Sequence, residues 1–390
     1  MNKKRNLLVL TPCYPDSQWL VIWDPFVKTK VDLISENFDK VYIFSPRPYW
    51  LEFLAYFFDI KPKLKNYKYK NIEIFYPNFF HLPIKYFREK IWSNQFKVVD
   101  DLIQKLNLKF DIIHSHFIWP SGYVWKKIKE KYGNKLIITG HWYDVYELPF
   151  RNSYWNNRIK DILRKADFIT TVSKTNRSKL KKLWFSNIKI IPNWYNEDDF
   201  FYIENKKQLR LELNIKDNKK ILLSVWNLVK QKNHKLLILA CKELLKVRND
   251  FICYIIWEWV LKKDLEKLIN KNNLQNYVKL LWRKNHKDIA KYINISDLFI
   301  LPSISESFWV VQVEAMACGV PVIATVNWWS EEIIKDNNLG FLLENNNDYK
   351  WLSDLINKWL EKKWEKDLII NYVKNNFSKK IIEKKYLEIY

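Results

Sequence analysis

Glycine is nearly absent from this chain. Average usage of about 7% would put roughly 27 glycines in a chain of this length, yet its 390 residues contain 5. Turns in a folded chain call for residues that tolerate φ > 0, so the deficit needs an explanation. Cysteine is scarce as well. Cys13, Cys241, Cys253 and Cys318 are widely scattered, with no CxxC pair, which excludes a zinc ribbon or disulfide framework and reads as buried thiols in a reducing cytosol. No apolar run reaches 18 residues, so no spanning helix is expected. The opening MNKKRNLLVL turns apolar and then ends at TPCYP without a small-residue cleavage site. It reads as a first strand, not a signal peptide. Zinc-finger spacing, an RNP-like aromatic signature and a recognition helix are missing too, so the net charge of +23 reads as a lysine-rich compositional bias and no nucleic-acid partner is expected.

What is present is enough apolar material, 48% of residues, for two sizeable cores, and the length favours two domains. Short β-branched runs alternate with longer amphipathic stretches, the pattern of βα units. Strands are predicted at Asn6–Thr11, Lys40–Ser45, Asp111–Ser115, Lys135–Thr139, Asp167–Val172 and Ile188–Pro192, with helices near 24–37, 95–107 and 174–184. A second series follows at Lys220–Val225, Phe251–Ile256, Tyr277–Leu281, Leu298–Pro302 and Pro321–Thr325, with helices starting near Asn233, Leu261, His286 and Val310. Two such series predict two doubly wound parallel sheets. The polar stretch Asn196–Asn218 reads as their junction, giving domains over residues 1–197 and 198–375. Residues 48–97 interleave aromatic and basic side chains. They read either as an insertion packed on the first sheet or as a surface for anionic lipid headgroups.

Tryptophan, normally rare, occurs 20 times. Trp142, Trp194, Trp226, Trp257 and Trp282 each follow a predicted strand, where loops of parallel sheets meet ligands. The stretch SISESFWVVQVEAMACGVPVIATVNWWSEEII, residues 303–334, adds a pair of acids, Glu306 in a loop and Glu314 in the second turn of the helix after it. A helix start there presents free N–H groups to whatever fills the loop. Alone, such a pair is a weak signal. Followed by AMACGVPVIAT after a strand ending LPS, it is strong.

This segment resembles the retaining glycosyltransferases of family 4, which have the GT-B fold of two Rossmann-like doubly wound domains facing across a cleft. The family pattern E-[SG]-F-G-x-x-x-x-E-A-M-A-x-G-x-P-V-I-A-[ST]-x-x-G-G-x-x-E is matched at nearly every fixed position once Trp309, Trp328 and Trp329 are read as glycine. SVWNLVKQKNHKLLI, IIWEWVLKKDLEKLI, VKLLWRKNHKDIAKYI, TGHWYDVY and IPNWYNEDDF resemble further family motifs in the same way, and Trp23 falls at the glycine of the first loop. Glycine and tryptophan, 5 and 20, together come close to the roughly 27 glycines expected. The sequence therefore reads as one in which UGA, glycine in the source lineage, was rendered as tryptophan.

The resemblance implies a hexosyltransferase-type enzyme that takes a sugar from a nucleotide-diphosphate donor to a glycan or lipid-linked acceptor, in cell-envelope polysaccharide or glycolipid synthesis. Transfer passes through an oxocarbenium-like transition state, and the leaving diphosphate needs donors at its oxygens. Lys232 is the implied cation. Asn227 stands where most relatives carry a base, with Arg283 and Lys230 as possible substitutes. Glu306 is implied at the sugar hydroxyls and Glu314 at the nucleotide ribose. Ser307, Phe308 and Trp309 meet the donor through backbone N–H groups, and Trp226 and Trp23 stand at donor-site glycines. His116, His141 and Asp144 are implied at the acceptor, while His114 reads as a core residue. The catalytic set is thus Glu306, His116 and Lys232. Without a DxD motif no metal is expected, and no cofactor besides the donor. The end, NNFSKKIIEKKYLEIY, resembles the terminal helix, here 376–390, that packs back on the first domain. A cytoplasmic location is expected, with peripheral contact at an anionic inner membrane face. The competing readings are a catalytically dead sugar-binding protein, if the tryptophans are real, and a nucleotide-sugar epimerase.

Overall fold

The computed structural model describes residues 4–17, 25–49, 64–80, 91–215, 219–225, 232–257, 262–304, 310–327, 329–344 and 347–390. The chain divides into two units, one of Met1–Pro192 with Glu383–Tyr390 and one of Asn193–Ile382.

In the first unit the chain runs β1 (Leu7–Leu10), α1 (Pro25–Ile34), β2 (Val41–Phe44), β3 (Arg47–Pro48), β4 (Tyr67–Tyr69), β5 (Ile72–Phe75) and β6 (Asn78–Phe79). It continues with α2 (Ile91–Lys105), β7 (Ile112–His116), α3 (Tyr123–Tyr132), β8 (Lys135–Gly140), the single turn α4 (Tyr143–Tyr146), α5 (Ser153–Leu163), β9 (Phe168–Thr171), α6 (Lys174–Lys181) and β10 (Ile188–Ile190). Eight of these strands form a sheet in the order β10-β9-β8-β7-β1-β2-β5-β4. The pairs are parallel, with Leu7 opposite both Val41 and Ile112, except that β4 runs antiparallel to β5. LLVL and VYIF are buried at every position, as expected of strands whose two faces are both covered by helices. Helix starts are set by side-chain caps: Asn152 accepts the N–H of Trp155, and Ser173 that of Asn176, which satisfies otherwise orphaned donors.

Residues 50–63 and 81–90 of the aromatic-basic stretch lie outside the described residues. Its described part packs on the first sheet: β5 pairs with β2, and Ile72, Ile74 and Phe75 are buried.

The second unit's first helix is α7 (Lys206–Glu212), which lies inside the polar stretch read as the junction; Asn205 caps it by accepting the N–H of Gln208. Then come β11 (Lys220–Val225), α8 (His234–Leu244), β12 (Phe251–Trp257), α9 (Lys262–Lys271), β13 (Val278–Trp282), α10 (His286–Ile295), β14 (Leu298–Leu301) and α11 (Val310–Ala317). They are followed by β15 (Val322–Thr325), the single turn α12 (Ser330–Ile333), β16 (Gly340–Leu343), α13 (Tyr349–Glu361) and α14 (Lys366–Phe377). Its six strands are ordered β13-β12-β11-β14-β15-β16, all parallel. Edge strand β16 was not predicted. At its start a Cβ on Gly340 would stand 2.1 Å from the carbonyl oxygen of Val322, so the close approach of β15 requires glycine there. A last helix, α15 (Lys379–Leu387), leads to Tyr390, and its carboxyl half belongs to the first unit.

Candidate functional site

Open parallel sheets bind ligands at the carboxyl ends of the two strands where strand order reverses. The reversal lies between β1 and β7 in the first unit and between β11 and β14 in the second. Each place carries residues singled out in the sequence.

In the first unit, His116 ends β7 and His141 follows β8. His116 Nδ1 lies 3.2 Å from His141 Nε2, and burial holds both imidazoles well below the usual histidine pKa, helped for His116 by the neighbouring His114. They are therefore neutral at pH 7. Asp144 shapes the turn that carries His141. Its carboxylate accepts the backbone N–H groups of Ile118 (2.7 Å), Trp142 (2.9 Å) and His141 (3.2 Å). Burial pushes its pKa up and those donors pull it back, leaving it above the ordinary carboxylate value. Asn176 Nδ2 donates to the His141 carbonyl at 2.7 Å. The loop leaving β1 is held from the β4–β5 side: the Tyr67 and Tyr76 hydroxyls donate to the Pro15 carbonyl at 2.8 and 2.6 Å. Trp23, in that loop, lies outside the described residues.

Sequence reasoning missed Lys30. This residue is 1% exposed, and its charge bears on His114, His116 and His141. A signal existed, because Val27, Lys30, Val31 and Ile34 form one buried stripe at helical spacing.

In the second unit, Lys232 follows β11 and is buried, just before α8. Glu314 stands on α11, after β14. The residue keeps part of its surface exposed, yet desolvation, with the charge of Asp199, pushes its pKa up to about 8. Trp226, Asn227, Lys230, Glu306, Ser307, Phe308, Trp309 and Trp328 lie outside the described residues. Among the described residues of this unit runs a polar chain that the sequence reading did not include. Gln312 Nε2 donates to Ser330 Oγ at 2.8 Å, and Ser330 Oγ donates to Asn327 Oδ1 at 3.1 Å. Asn327 Oδ1 also accepts the N–H groups of Trp329 and Ser330, and Thr325 Oγ1 bonds the Ser303 carbonyl, tying β15 to the end of β14. Arg283, beyond β13, is placed apart from the β11–β14 reversal by strand order.

Among the described residues no three His, Cys, Asp or Glu side chains gather as a metal site, and no helix is long and apolar enough to cross a membrane. A cleft of about 750 Å³ opens at the amino ends of the first unit's strands, lined by Arg5, Asn6, Asp39, Asp111 and Asn134. It is at the opposite end of the strands from His116 and His141.

Two Rossmann-like parallel-sheet domains of this topology define the GT-B fold. Sucrose-phosphate synthase from Thermosynechococcus elongatus shares it, with a TM-score of 0.76 at 17% identity over 99% of this chain and 98% of that one. So does HepE from Anabaena, solved in complex with UDP, with a TM-score of 0.74 at 17% identity over 98% of each chain. Residues 39–199 match Glycosyltransferase Family 4, and residues 205–376 match Glycosyl transferases group 1. An uncharacterized glycosyltransferase of Methanocaldococcus jannaschii is 32% identical over 269 residues, 69% of each chain. The N-acetylgalactosamine-N,N'-diacetylbacillosaminyl-diphospho-undecaprenol 4-alpha-N-acetylgalactosaminyltransferase of Campylobacter jejuni is 36% identical over 224 residues, 56% of this chain and 59% of that one. The chain belongs to glycosyltransferase family 4.

Proposed function

We propose that this glycosyltransferase takes a sugar, with retention, from a nucleotide-diphosphate donor and places it on a glycan or lipid-linked acceptor of the cell envelope. The observation that carries the reading is positional: Lys232 and Glu314 lie on the segments that leave β11 and β14, the two strands flanking the order reversal. The second unit then binds the donor. Lys232 and the backbone N–H groups of Ser307, Phe308 and Trp309 meet the diphosphate as it leaves, when its charge is greatest. Glu306 holds sugar hydroxyls, and Glu314, with a carboxyl that keeps its proton near neutrality, holds the ribose diol. In the first unit His116 and His141, both neutral, present lone pairs and N–H groups to an acceptor hydroxyl, and Asp144 keeps their turn in shape. Support for a nucleotide donor comes from the UDP bound by HepE, and for a lipid-diphosphate acceptor from the Campylobacter relative's name. Such an acceptor places the reaction at the cytoplasmic membrane face, where a net charge of +23 favours anionic headgroups.

The native chain carries glycine at those written tryptophans where the backbone calls for it. Trp184 supports this. It closes the turn that follows α6, at φ +72, and is 88% exposed, a left-handed position of the kind that Gly133, at φ +77, fills directly after α3. Trp142 and Trp282, after and at the ends of strands, are also more than half or half exposed, at 50% and 59%. Trp125, Trp155, Trp329 and Trp359, by contrast, are buried.

The test has two arms. Peptide sequencing of the native protein by mass spectrometry reads positions 184, 226 and 309 directly; indoles at all three would overturn the glycine assignment. The glycine form is then incubated with a panel of nucleotide-diphosphate sugars, with and without polyprenyl-diphosphate-linked glycans, and nucleoside diphosphate release is followed. No acceptor-stimulated release from any donor would overturn the transfer reading.

A further inference from the structure

A strand turns alternate residues to one face, so HSH at the end of β7 puts His114 and His116 on the same side of the sheet. Their rings stack at 4.3 Å, inclined by 28°. Parallel register sets Thr139 beside His116 and Thr170 beside Thr139, and His141 is two residues beyond Thr139. A ladder of polar groups thus lies across three strands on one buried face. Tyr390 closes it from below. Its phenol bonds His114 Nδ1, His114 Nε2 lies 2.7 Å from Thr139 Oγ1, and Thr139 Oγ1 lies 2.6 Å from Thr170 Oγ1.

The tyrosine is itself fixed. Its carbonyl accepts from Arg5 at 2.5 Å and Lys135 at 3.1 Å, and its ring meets Phe38 edge-on at 5.2 Å. Burial keeps the phenol protonated and holds His114 neutral, its pKa lowered to about 3. A phenol is a stronger donor than a threonine hydroxyl, so the chain runs from Tyr390 O–H to Nδ1 and from Nε2–H to Thr139. With both nitrogens bound, the His114 ring cannot flip without breaking buried hydrogen bonds, which is costly, and the stronger phenol donor favours one tautomer over the reversed chain.

We propose that Tyr390 is a positioning residue of the acceptor site: by locking His114 it fixes the ring on which His116 stacks, and through it the His116–His141 pair. The proposal rests on the reading of those two histidines as acceptor-facing. It means that the segment Glu383–Tyr390, last in the chain, sets the geometry of groups that β7 and β8 supply.

Tyr390→Phe removes the phenol oxygen and keeps the ring. Tyr386→Phe is the control, since Tyr386 is equally buried in the same segment and its hydroxyl has no partner. Nitrogen-15 NMR of the imidazoles is the first readout. Tyr390→Phe is expected to release His114 from its single tautomer and to shift the His116 and His141 nitrogen signals, whereas Tyr386→Phe leaves all three in place. The second readout is steady-state transfer with the donor and acceptor that the panel selects. There Tyr390→Phe is expected to lower kcat/KM for the acceptor about tenfold, the scale of one buried hydrogen bond, with KM for the donor unchanged. Nitrogen signals that stay put in Tyr390→Phe, or a rate loss no greater than that of Tyr386→Phe, overturn the proposal. Shifted signals together with full activity in His116→Ala would instead overturn the acceptor-facing reading and leave the coupling intact.

Discussion

Replacing Trp184 by glycine should stabilise the protein. A residue with a Cβ at φ +72 pays roughly 1–2 kcal/mol against the left-handed backbone. Glycine removes that cost but gives the unfolded chain more freedom, which takes back about 0.5–1 kcal/mol. Because Trp184 is 88% exposed, deleting its indole forfeits little buried area. The net gain is about 0.5–1 kcal/mol, or a rise in Tm of about 1–4 °C for units of this size. Trp184→Ala keeps the Cβ and should gain nothing, which separates backbone relief from loss of an exposed ring. Trp125→Gly is the opposite case. That side chain is fully buried in α3 and meets Phe44 edge-on at 6.4 Å, so its removal should cost about 3–5 kcal/mol for the cavity, with a further ~1 kcal/mol for glycine within a helix. All three variants of the tryptophan form are compared by urea unfolding. A Trp184→Gly variant no more stable than Trp184→Ala would refute the reasoning.

The carboxyl of Glu314, raised to about 8 from an ordinary 4.5, makes the folded state the tighter proton binder. Its contribution is full below pH 4.5 and is lost as pH rises through 8, so Glu314→Gln should gain stability relative to wild type on going from pH 5 to pH 9, as read by thermal melts at the two pH values; equal differences at both would count against it. Asp144→Ala leaves three backbone N–H groups without their acceptor, that of Ile118 buried and those of His141 and Trp142 partly so, at about 1–3 kcal/mol for each one left unsatisfied away from water, and should destabilise the first unit in the same urea assay even where no acceptor substrate is present. Lys232→Ala should lower kcat by about 10²–10³, more than any change in KM for the donor, because the diphosphate carries most charge as it leaves; an unchanged kcat would remove Lys232 from that role.

Most strands were legible because both faces of a parallel sheet are covered and each strand reads as an unbroken apolar run. LLVL, VYIF and LFIL leave little choice. The elements that sequence reasoning passed over are of another kind. Tyr67–Tyr69 and Ile72–Phe75 form an antiparallel edge inside a stretch where bases and aromatics hide the period. Edge strand Gly340–Leu343 has only two fully buried positions. Lys206–Glu212 is a polar helix of seven residues with one buried leucine, too short and too wet to show a stripe. Their support comes from tertiary neighbours that no local pattern reports: β5 is held by β2, β16 by β15 and Lys206–Glu212 by His286–Ile295.

The candidate site divides along the same physical line. Residues such as Lys232, Glu314, His116 and His141 were singled out through the family motifs they resemble, which lie in the segments that leave readable strands. The groups that tune them were harder to find. Lys30 looks like one more lysine until its position in the stripe of Val27, Val31 and Ile34 is noticed, and Tyr390 lies 276 residues from the histidine it bonds. Charge and hydrogen bonding act through space, strongly where water is excluded. A neutral His116 is a consequence of burial beside His114 and His141, and not of any residue near it in a motif. The first unit thus holds its histidines uncharged and oriented in advance; in the acceptor role proposed for them, binding a hydroxyl need not also reorganise the site, because the cost of that order was met when the unit folded.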